Sequence, residues 1–277
     1  AQGIKSSGAS NIASAVKNVP GVSIQGGKYV YVRGLGDRYT KSILNGVDIP
    51  GLDPDRNTIQ MDIFPTNILD NIIVVKSAAA EYPVDFTGGV IDIVTKDFPT
   101  KATYSISTGA GYNPNMHFND GYLSYTGSNT DFLGFDDGMR NLPVNRFQTI
   151  PGTFNNSTVL SNMTNVFNKE LTAKQNNSGA NFDFGFTAGN QYDVGDNKLG
   201  YQLSLSYKNK TEFYDDRIDG TYMKDQNDAS VNDLLGTRRS EGIVGNNSVL
   251  LSTLAGIVYK RDKAKYKVNF LHIQNGE

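Results

Sequence analysis

Past Thr100 the sequence falls into runs that alternate apolar and polar residues with a period of two. Tyr104, Ile106, Thr108, Ala110 and Tyr112 alternate with Ser105, Ser107, Gly109 and Gly111. Phe182, Phe184, Phe186 and Ala188 alternate with Asp183, Gly185, Thr187 and Gly189. Leu199, Tyr201, Leu203, Leu205 and Tyr207 alternate with Gly200, Gln202, Ser204, Ser206 and Lys208. Tyr266, Val268 and Phe270 alternate with Lys267 and Asn269, while Val249, Leu251, Ala255, Ile257 and Tyr259 form a less regular set. Period two places each set on its own face of a strand. Each run is about ten residues, the length a tilted strand needs to cross a hydrocarbon layer. Tyrosine often sits at the run ends, as interfacial girdles require. The mean hydropathy of -0.40 does not oppose this, because each apolar residue is diluted by a polar neighbour. No apolar window of about eighteen residues exists, which excludes a spanning helix.

The connections order these strands. Asp193 to Lys198 and Arg261-Asp262-Lys263 are short polar turns. The other connections, roughly 113–180 and 209–247, are long, so short and long alternate as in membrane barrels. Phe118 to Tyr125 is a weaker period-two stretch. A membrane crossing there would put the long loop on the short-turn side, so it is assigned to the first outer loop as a hairpin. Five spanning strands result. An open sheet in lipid leaves two edges of unpaired backbone groups, each costing several kcal/mol. The smallest closed barrels use about eight strands. The chain is therefore expected to be part of a larger polypeptide.

Before Thr100 the pattern differs. Ile12 to Val19 has helical spacing, Ser10 or Asn11 can cap it, and Pro20-Gly21 stops it. Val22 to Ile24 and Tyr29 to Val32 read as strands around Gly26-Gly27. Asn45-Gly46 is a hairpin signal between Ile43-Leu44 and Val47 to Ile49. Residues 50–58 read as a polar loop. Pro65 opens a short helix-like piece to Asp70, Ile72 to Val75 is a buried-type strand, Ala78 to Tyr82 a small-residue turn or helical piece, and Val90 to Val94 another strand. This makes a small α+β module ending near Phe98-Pro99.

Within it, Tyr29-Val-Tyr-Val-Arg33-Gly34-Leu-Gly36-Asp-Arg38-Tyr39, Ile43-Leu-Asn-Gly46 and Val84-Asp-Phe-Thr-Gly88-Gly89-Val-Ile-Asp-Ile-Val-Thr-Lys96 follow Ser10 to Val22 in order. That succession resembles the plug domain of TonB-dependent outer-membrane receptors over about the first hundred residues. The resemblance implies an α+β plug over residues 1–98, then part of a transmembrane antiparallel β-barrel over 99–277. The barrel would be of the plugged type with about 22 strands, and incomplete here. It implies that Arg33, Arg38 and Arg56 make plug–barrel contacts with wall carboxylates in a water-filled interior, since arginine forks suit bidentate pairing. It makes Gly34, Gly36, Gly88 and Gly89 plug turns, with Gly88-Gly89 leading into the last plug strand. It places Asp48, Asp53 and Asp55 near an outward apex where ligand arrives. Its partners would be TonB with the inner-membrane energising complex, outer-membrane lipid, a ligand the sequence does not name, and outer-membrane protein partners. No TonB box and no signal peptide are found, so Ala1 is expected to be a mature or truncated start. The Gly-Leu-Gly-Asp-Arg run is unusual for receptors that pair with a lid lipoprotein, so no lid is expected.

Other chemistry is poorly supplied. There are 26 basic and 28 acidic residues, a net charge of -2, which gives no electrostatic case for nucleic acid. The absence of cysteine excludes disulfides, thiolate metal sites and a cysteine nucleophile. Of the two histidines, His117 and His272, neither sits in a triad or metal spacing, and both read as ordinary polar positions. Gly34-Leu-Gly36 is not a dinucleotide loop, because Tyr39 stands where the third glycine belongs and no long helix follows. Asp53-Pro54-Asp55-Arg56 reads as a Pro-containing turn before a paired-carboxylate or calcium site. Asp136-Asp137-Gly138 lacks the spacing and the terminal Glu of a calcium loop. Asp85 and Lys96 read as structural. No cofactor, metal or catalytic set is expected. Energised import of a scarce ligand is the function the resemblance implies. A non-transporting outer-membrane scaffold for adhesion or secretion, and a soluble β-rich binding module, are the rivals.

Overall fold

The computed structural model describes residues 16, 19–25, 28–36, 39–49, 51, 59–64, 69–77, 82, 88–95, 98–152, 157–169, 172–225, 230 and 232–277. Of the helix expected over Ile12–Val19, only Val16 and Val19 are among them; Val16 is helical and buried. Most of the loop around 50–58 and of Ala78–Tyr82 lies outside them.

The first strands obey the hairpin chemistry of the sequence. β1 (Val22–Gln25) and β2 (Tyr29–Val32) pair antiparallel, Val22 opposite Val32 and Gln25 opposite Tyr29. β3 (Thr40–Leu44) and β4 (Val47–Asp48) close around Asn45 and Gly46, whose φ angles of 51° and 80° suit a two-residue hairpin turn. β5 (Leu69–Val75) and β6 (Gly89–Thr95) complete a sheet in the order β4-β3-β6-β5. β3 runs parallel to β6, and β5 antiparallel to it. β6 is thus central, and its run Val90-Ile91-Asp92-Ile93-Val94 is buried at nearly every position. The expected helix-like piece ending at Asp70 is corrected at its end. Leu69 and Asp70 already form the start of β5, where Leu69 drops into the core. Residues 65–68 are outside the described set. A single turn of 3-10 helix, Met61–Ile63, carries Met61, Ile63 and Phe64 into a core with Val16, Val30, Val32, Ile59, Leu69, Ile91 and Ile93.

Beyond residue 100 come β7 (Thr103–Gly111), β8 (Tyr122–Ser124), β9 (Lys174–Asn176), β10 (Asn181–Val194), β11 (Asn197–Lys224), β12 (Leu234–Arg261) and β13 (Ala264–Gly276). An α-helix, α1 (Ser157–Asn165), lies between β8 and β9 among the described residues. β7, β10, β11, β12 and β13 are neighbours in that order in a five-stranded sheet, the five strands expected from periodicity. The sheet is not closed. Its tight turns fall at Gly195-Asp196 and Asp262-Lys263, with φ of 60° at Gly195 and 49° at Asp262. Among the described residues no helix is long and apolar enough to cross a membrane, which says nothing of strands.

Two expectations change. The connection expected over 209–247 narrows to 225–233, because β11 and β12 each run for 28 residues. That is on the order of 90 Å of extended chain, far more than a hydrocarbon crossing needs. Most side chains of both outer stretches are exposed, so no apolar period marks them. Their backbone pairing is what holds them, with Thr237 Oγ1 donating to Thr221 O as a cross-strand supplement. The stretch Phe118–Tyr125 forms strand only at Tyr122–Ser124. It pairs with Lys174–Asn176 rather than folding back on itself, and stays out of the large sheet. Phe118 has a φ of 57°, which ends the extended run before it can lengthen.

Compact packing divides the chain into Ala1–Gly109 with Asp183–Tyr207 and Leu250–Asn275, and Ala110–Phe182 with Lys208–Val249 and Gly276–Glu277. The first unit therefore joins the N-terminal module to stretches of β7, β10, β11, β12 and β13.

Candidate functional site

The Gly-rich run opens with a turn that only left-handed backbone can make. Arg33 and Gly34 have φ of 56° and 74°, and Leu35 N donates to Val32 O at 3.0 Å across them. Arginine in that region is strained by about 1 kcal/mol or more. Its amide is held by Gly21 O at 2.8 Å, which fixes the strained residue against the start of β1. The Arg33 side chain is exposed, and among the described residues it makes no ion pair. Tyr39 N donates to Gly36 O, and Gly88 N to Tyr39 O, at 2.9 and 2.8 Å. Gly36 and Gly88 are thus brought together through Tyr39. A methyl group on Gly89 would lie 2.8 Å from Val32 Cγ1 and 2.9 Å from Val75 O, so β6 could not approach β2 with any larger residue there. Arg38, Arg56, Asp53 and Asp55 lie outside the described residues, as do Asp85 and Lys96. Asp48 is exposed at the end of β4 and pairs with Lys41 Nζ at 2.8 Å.

The Asn45-Gly46 turn does more than reverse the chain. Asn45 Nδ2 donates to Thr95 Oγ1 at 3.1 Å, and Thr95 N donates to Asn45 Oδ1 at 3.0 Å. Gly46 N reaches Asp92 Oδ1 at 3.4 Å. Burial pushes the Asp92 carboxyl up from its ordinary range, and that amide opposes the shift. The turn therefore clasps the far end of β6.

Against this module lie residues of the large sheet. Ser252 Oγ, fully buried, donates to Ile63 O at 2.9 Å. Leu254 is 4% exposed and belongs to the N-terminal core, with Leu250, Leu271 and Ile273 packed at its margin. Lys267 Nζ donates to Thr95 Oγ1 at 3.3 Å. Between Leu250 and Val258 the even-numbered face of β12 is the covered one. The opposite face exposes Ile257 at 59%, and neighbouring strands expose Ile106, Leu203, Val268 and Phe270 in the same manner. In β11 the polar partners Gly200 and Ser204 are the buried ones. The expectation of a wet inner face is corrected in β12: Leu250, Leu254 and Val258 make it apolar, because it rests on a protein core instead of water. Those leucines blur the alternation, and the blur was the available signal. Nothing in the sequence marked Ser252, Thr95 or Lys267.

The other unit contains a built loop. His117 is buried, accepting from Asn113 N at Nδ1 (2.9 Å), with Nε2 3.2 Å from Thr211 O. It is a structural clamp, contrary to the ordinary polar position expected. Arg140 forks onto Asp131 with both contacts at 2.7 Å, meets Asp136 at 2.9 Å, and binds the Tyr125 hydroxyl. The Arg140 guanidinium holds the Asp131 carboxyl below its usual range. Asp136 is thus an ion-pair partner. Among the described residues no metal-ligating cluster exists.

A family model described as TonB-dependent Receptor Plug Domain matches residues 1–90. The vitamin B12 transporter BtuB of Photobacterium profundum is 30% identical over 132 residues, covering 46% of this chain and 20% of that protein. The match thus spans about a fifth of that relative's length. The outer membrane transporter YddB from Escherichia coli superposes with a TM-score of 0.46 at 14% identity, over 95% of this chain and 30% of that one. The ferric-catecholate import receptor Fiu from E. coli K12, in its open form, gives 0.33 at 14% identity, over 97% and 47%.

Proposed function

We propose that this chain, whose residues 1–90 match the TonB-dependent Receptor Plug Domain model, belongs to an outer-membrane receptor of a Gram-negative bacterium. The receptor imports a scarce ligand by energised rearrangement of the plug. The observation that carries this is the two-sidedness of the wall. One face packs Leu254 and Ser252 onto the plug, and the other exposes Ile106, Leu203, Ile257, Val268 and Phe270. A row of exposed aliphatic and aromatic groups on neighbouring strands suits hydrocarbon, not water.

In this reading residues 1–98 are the plug and 99–277 the first part of the barrel. Force reaches the plug through TonB acting on its N-terminal side, and the plug is remodelled to open a path. In the assembled barrel Arg33, which makes no ion pair among the described residues, would meet wall carboxylates in the wet interior, as would Arg38 and Arg56. Such exposed pairs are worth under about 1 kcal/mol each, which suits a plug that must move. Asp48, Asp53 and Asp55 face arriving ligand. The transport family offers no enzymatic role, and none is proposed.

The test is deletion of the N-terminal segment upstream of the plug in the full-length receptor. Radiolabelled cyanocobalamin is the first probe, because the relative BtuB is named for vitamin B12. Binding is expected to persist and uptake to vanish. Uptake that survives the deletion refutes the energised mechanism. Purification with stoichiometric protein partners and no small ligand supports the scaffold alternative instead.

A further inference from the structure

Phe98 and Pro99 sit where the N-terminal module passes into the wall, and the wall is shaped around them. Phe98 is 4% exposed. Three wall glycines from three strands lie against this dipeptide. A methyl group on Gly200 of β11 would fall 3.0 Å from Phe98 Cβ and 3.0 Å from Val258 Cγ1. One on Gly256 of β12 would fall 3.3 Å from Phe98 Cζ, and one on Gly189 of β10 would fall 2.8 Å from Pro99 Cγ. The fourth strand, β13, supplies Lys267, whose Nζ lies 5.6 Å from the centre of the Phe98 ring. The same ammonium donates to Thr95 Oγ1, which Asn45 clasps. Aromatic burial and a cation over the ring face each hold the side chain in place.

We propose that Phe98 is the anchor of the plug: a positioning residue, seated in a glycine socket and capped by Lys267, that keeps the C-terminal end of β6 on the wall while the rest of the plug rearranges. Three independent strands each give up a side chain at the same dipeptide, which ordinary strand packing does not require. In sequence, Phe98 closes the module, whereas the segment on which TonB would act precedes it. Pulling from the N-terminal side thus loads β1 and β2 before it loads β6. This role rests on the receptor reading above, but its test needs no ligand and no energy source.

The test is hydrogen exchange, resolved by peptide, on the full-length receptor in detergent micelles. Phe98→Ala is expected to speed exchange of the Ile93, Val94 and Thr95 amides by roughly tenfold or more. The β1–β2 hairpin and the wall strand β11 should keep wild-type rates. Phe98→Leu, which refills the socket, should restore most of the protection. Gly200→Ala keeps Phe98 but crowds it, and serves if Phe98→Ala does not fold; it should give the same local pattern at smaller size. Unchanged rates at Ile93–Thr95 overturn the anchor, as does equal loosening of β1, β2 and β6, which marks a general core residue. An N-terminal deletion that fails to abolish uptake strikes the receptor reading and leaves the exchange result standing.

Discussion

Strand β12 is two surfaces in one element. From Leu250 to Val258 one face is covered by the N-terminal module and the other is bare and apolar, with Ile257 59% exposed. From Leu234 to Asn246 most side chains are exposed, Leu234, Leu235 and Ile243 among them, and no face is consistently covered. The inner stretch is fixed by what it buries, the outer one by its ladder of backbone bonds. The outer stretches of β11 and β12 extend past the 14 residues of β10 and the 13 of β13, so there the two strands pair with each other alone. Stability of the outer stretch is therefore insensitive to side-chain identity, and that difference can be broken by mutation.

The largest effect is expected at Leu254. Leu254→Ala should destabilise the plug by about 2–5 kcal/mol, whereas Leu235→Ala in the outer stretch should change stability by less than about 0.5 kcal/mol. Denaturant titration in micelles measures both. Next comes a pair matched in exposure, Ile257 at 59% and Ile218 at 50%. Ile257→Lys should cost about 2–4 kcal/mol when the protein folds into vesicles, as lysine does near a bilayer midplane. Ile218→Lys should cost under about 0.5 kcal/mol. Equal costs would mean that the two stretches meet the same medium. Asn45→Ala removes the clasp on Thr95 and should cost about 1–3 kcal/mol, read as earlier thermal loss of the plug.

The smallest effect concerns Asp92. Its carboxyl is raised in the folded plug by burial. The folded state therefore holds the proton longer than the unfolded one, and stability falls as pH rises from the ordinary carboxylate range through the folded value. Asp92→Asn should flatten that slope and raise plug stability at neutral pH, while its carbonyl still accepts from Gly46 N. A slope that persists in the variant assigns the pH dependence to another group. The opposite sign holds for Asp131, lowered by Arg140. Its contribution to the loop is present above the ordinary carboxylate range and lost as pH falls through the folded value.

Much of this was legible in the residues, for physical reasons. Asn45-Gly46 announced its hairpin because both positions need left-handed backbone. Leu199 to Tyr207 announced a two-faced strand because strict alternation puts its apolar and polar residues on opposite faces. Phe118–Tyr125 announced only that it was not a crossing; its partner, Lys174–Asn176, is some fifty residues away and shares no local signal with it. The outer halves of β11 and β12 were hidden because a strand wet on both sides has no apolar period. The plug–wall contacts were hidden for a different reason. Ser252, Thr95 and Lys267 are common residue types whose meaning comes only from meeting across the fold. Arg33 stood out by residue type and motif, yet the polar contacts described between plug and wall run through serine, threonine and lysine.

Adjacent residues of β11 test the central claim directly. Residues 1–277 contain no cysteine, so once any cysteine elsewhere in the full-length receptor is replaced, Gln202→Cys and Leu203→Cys can each carry one fluorophore without background. Gln202 is half-buried and Leu203 is 39% exposed. In vesicles of brominated lipid, the probe at 203 should be quenched and the probe at 202 spared. Equal quenching at both positions, or quenching of 203 only by iodide in the water phase, would contradict a wall with plug on one side and lipid on the other.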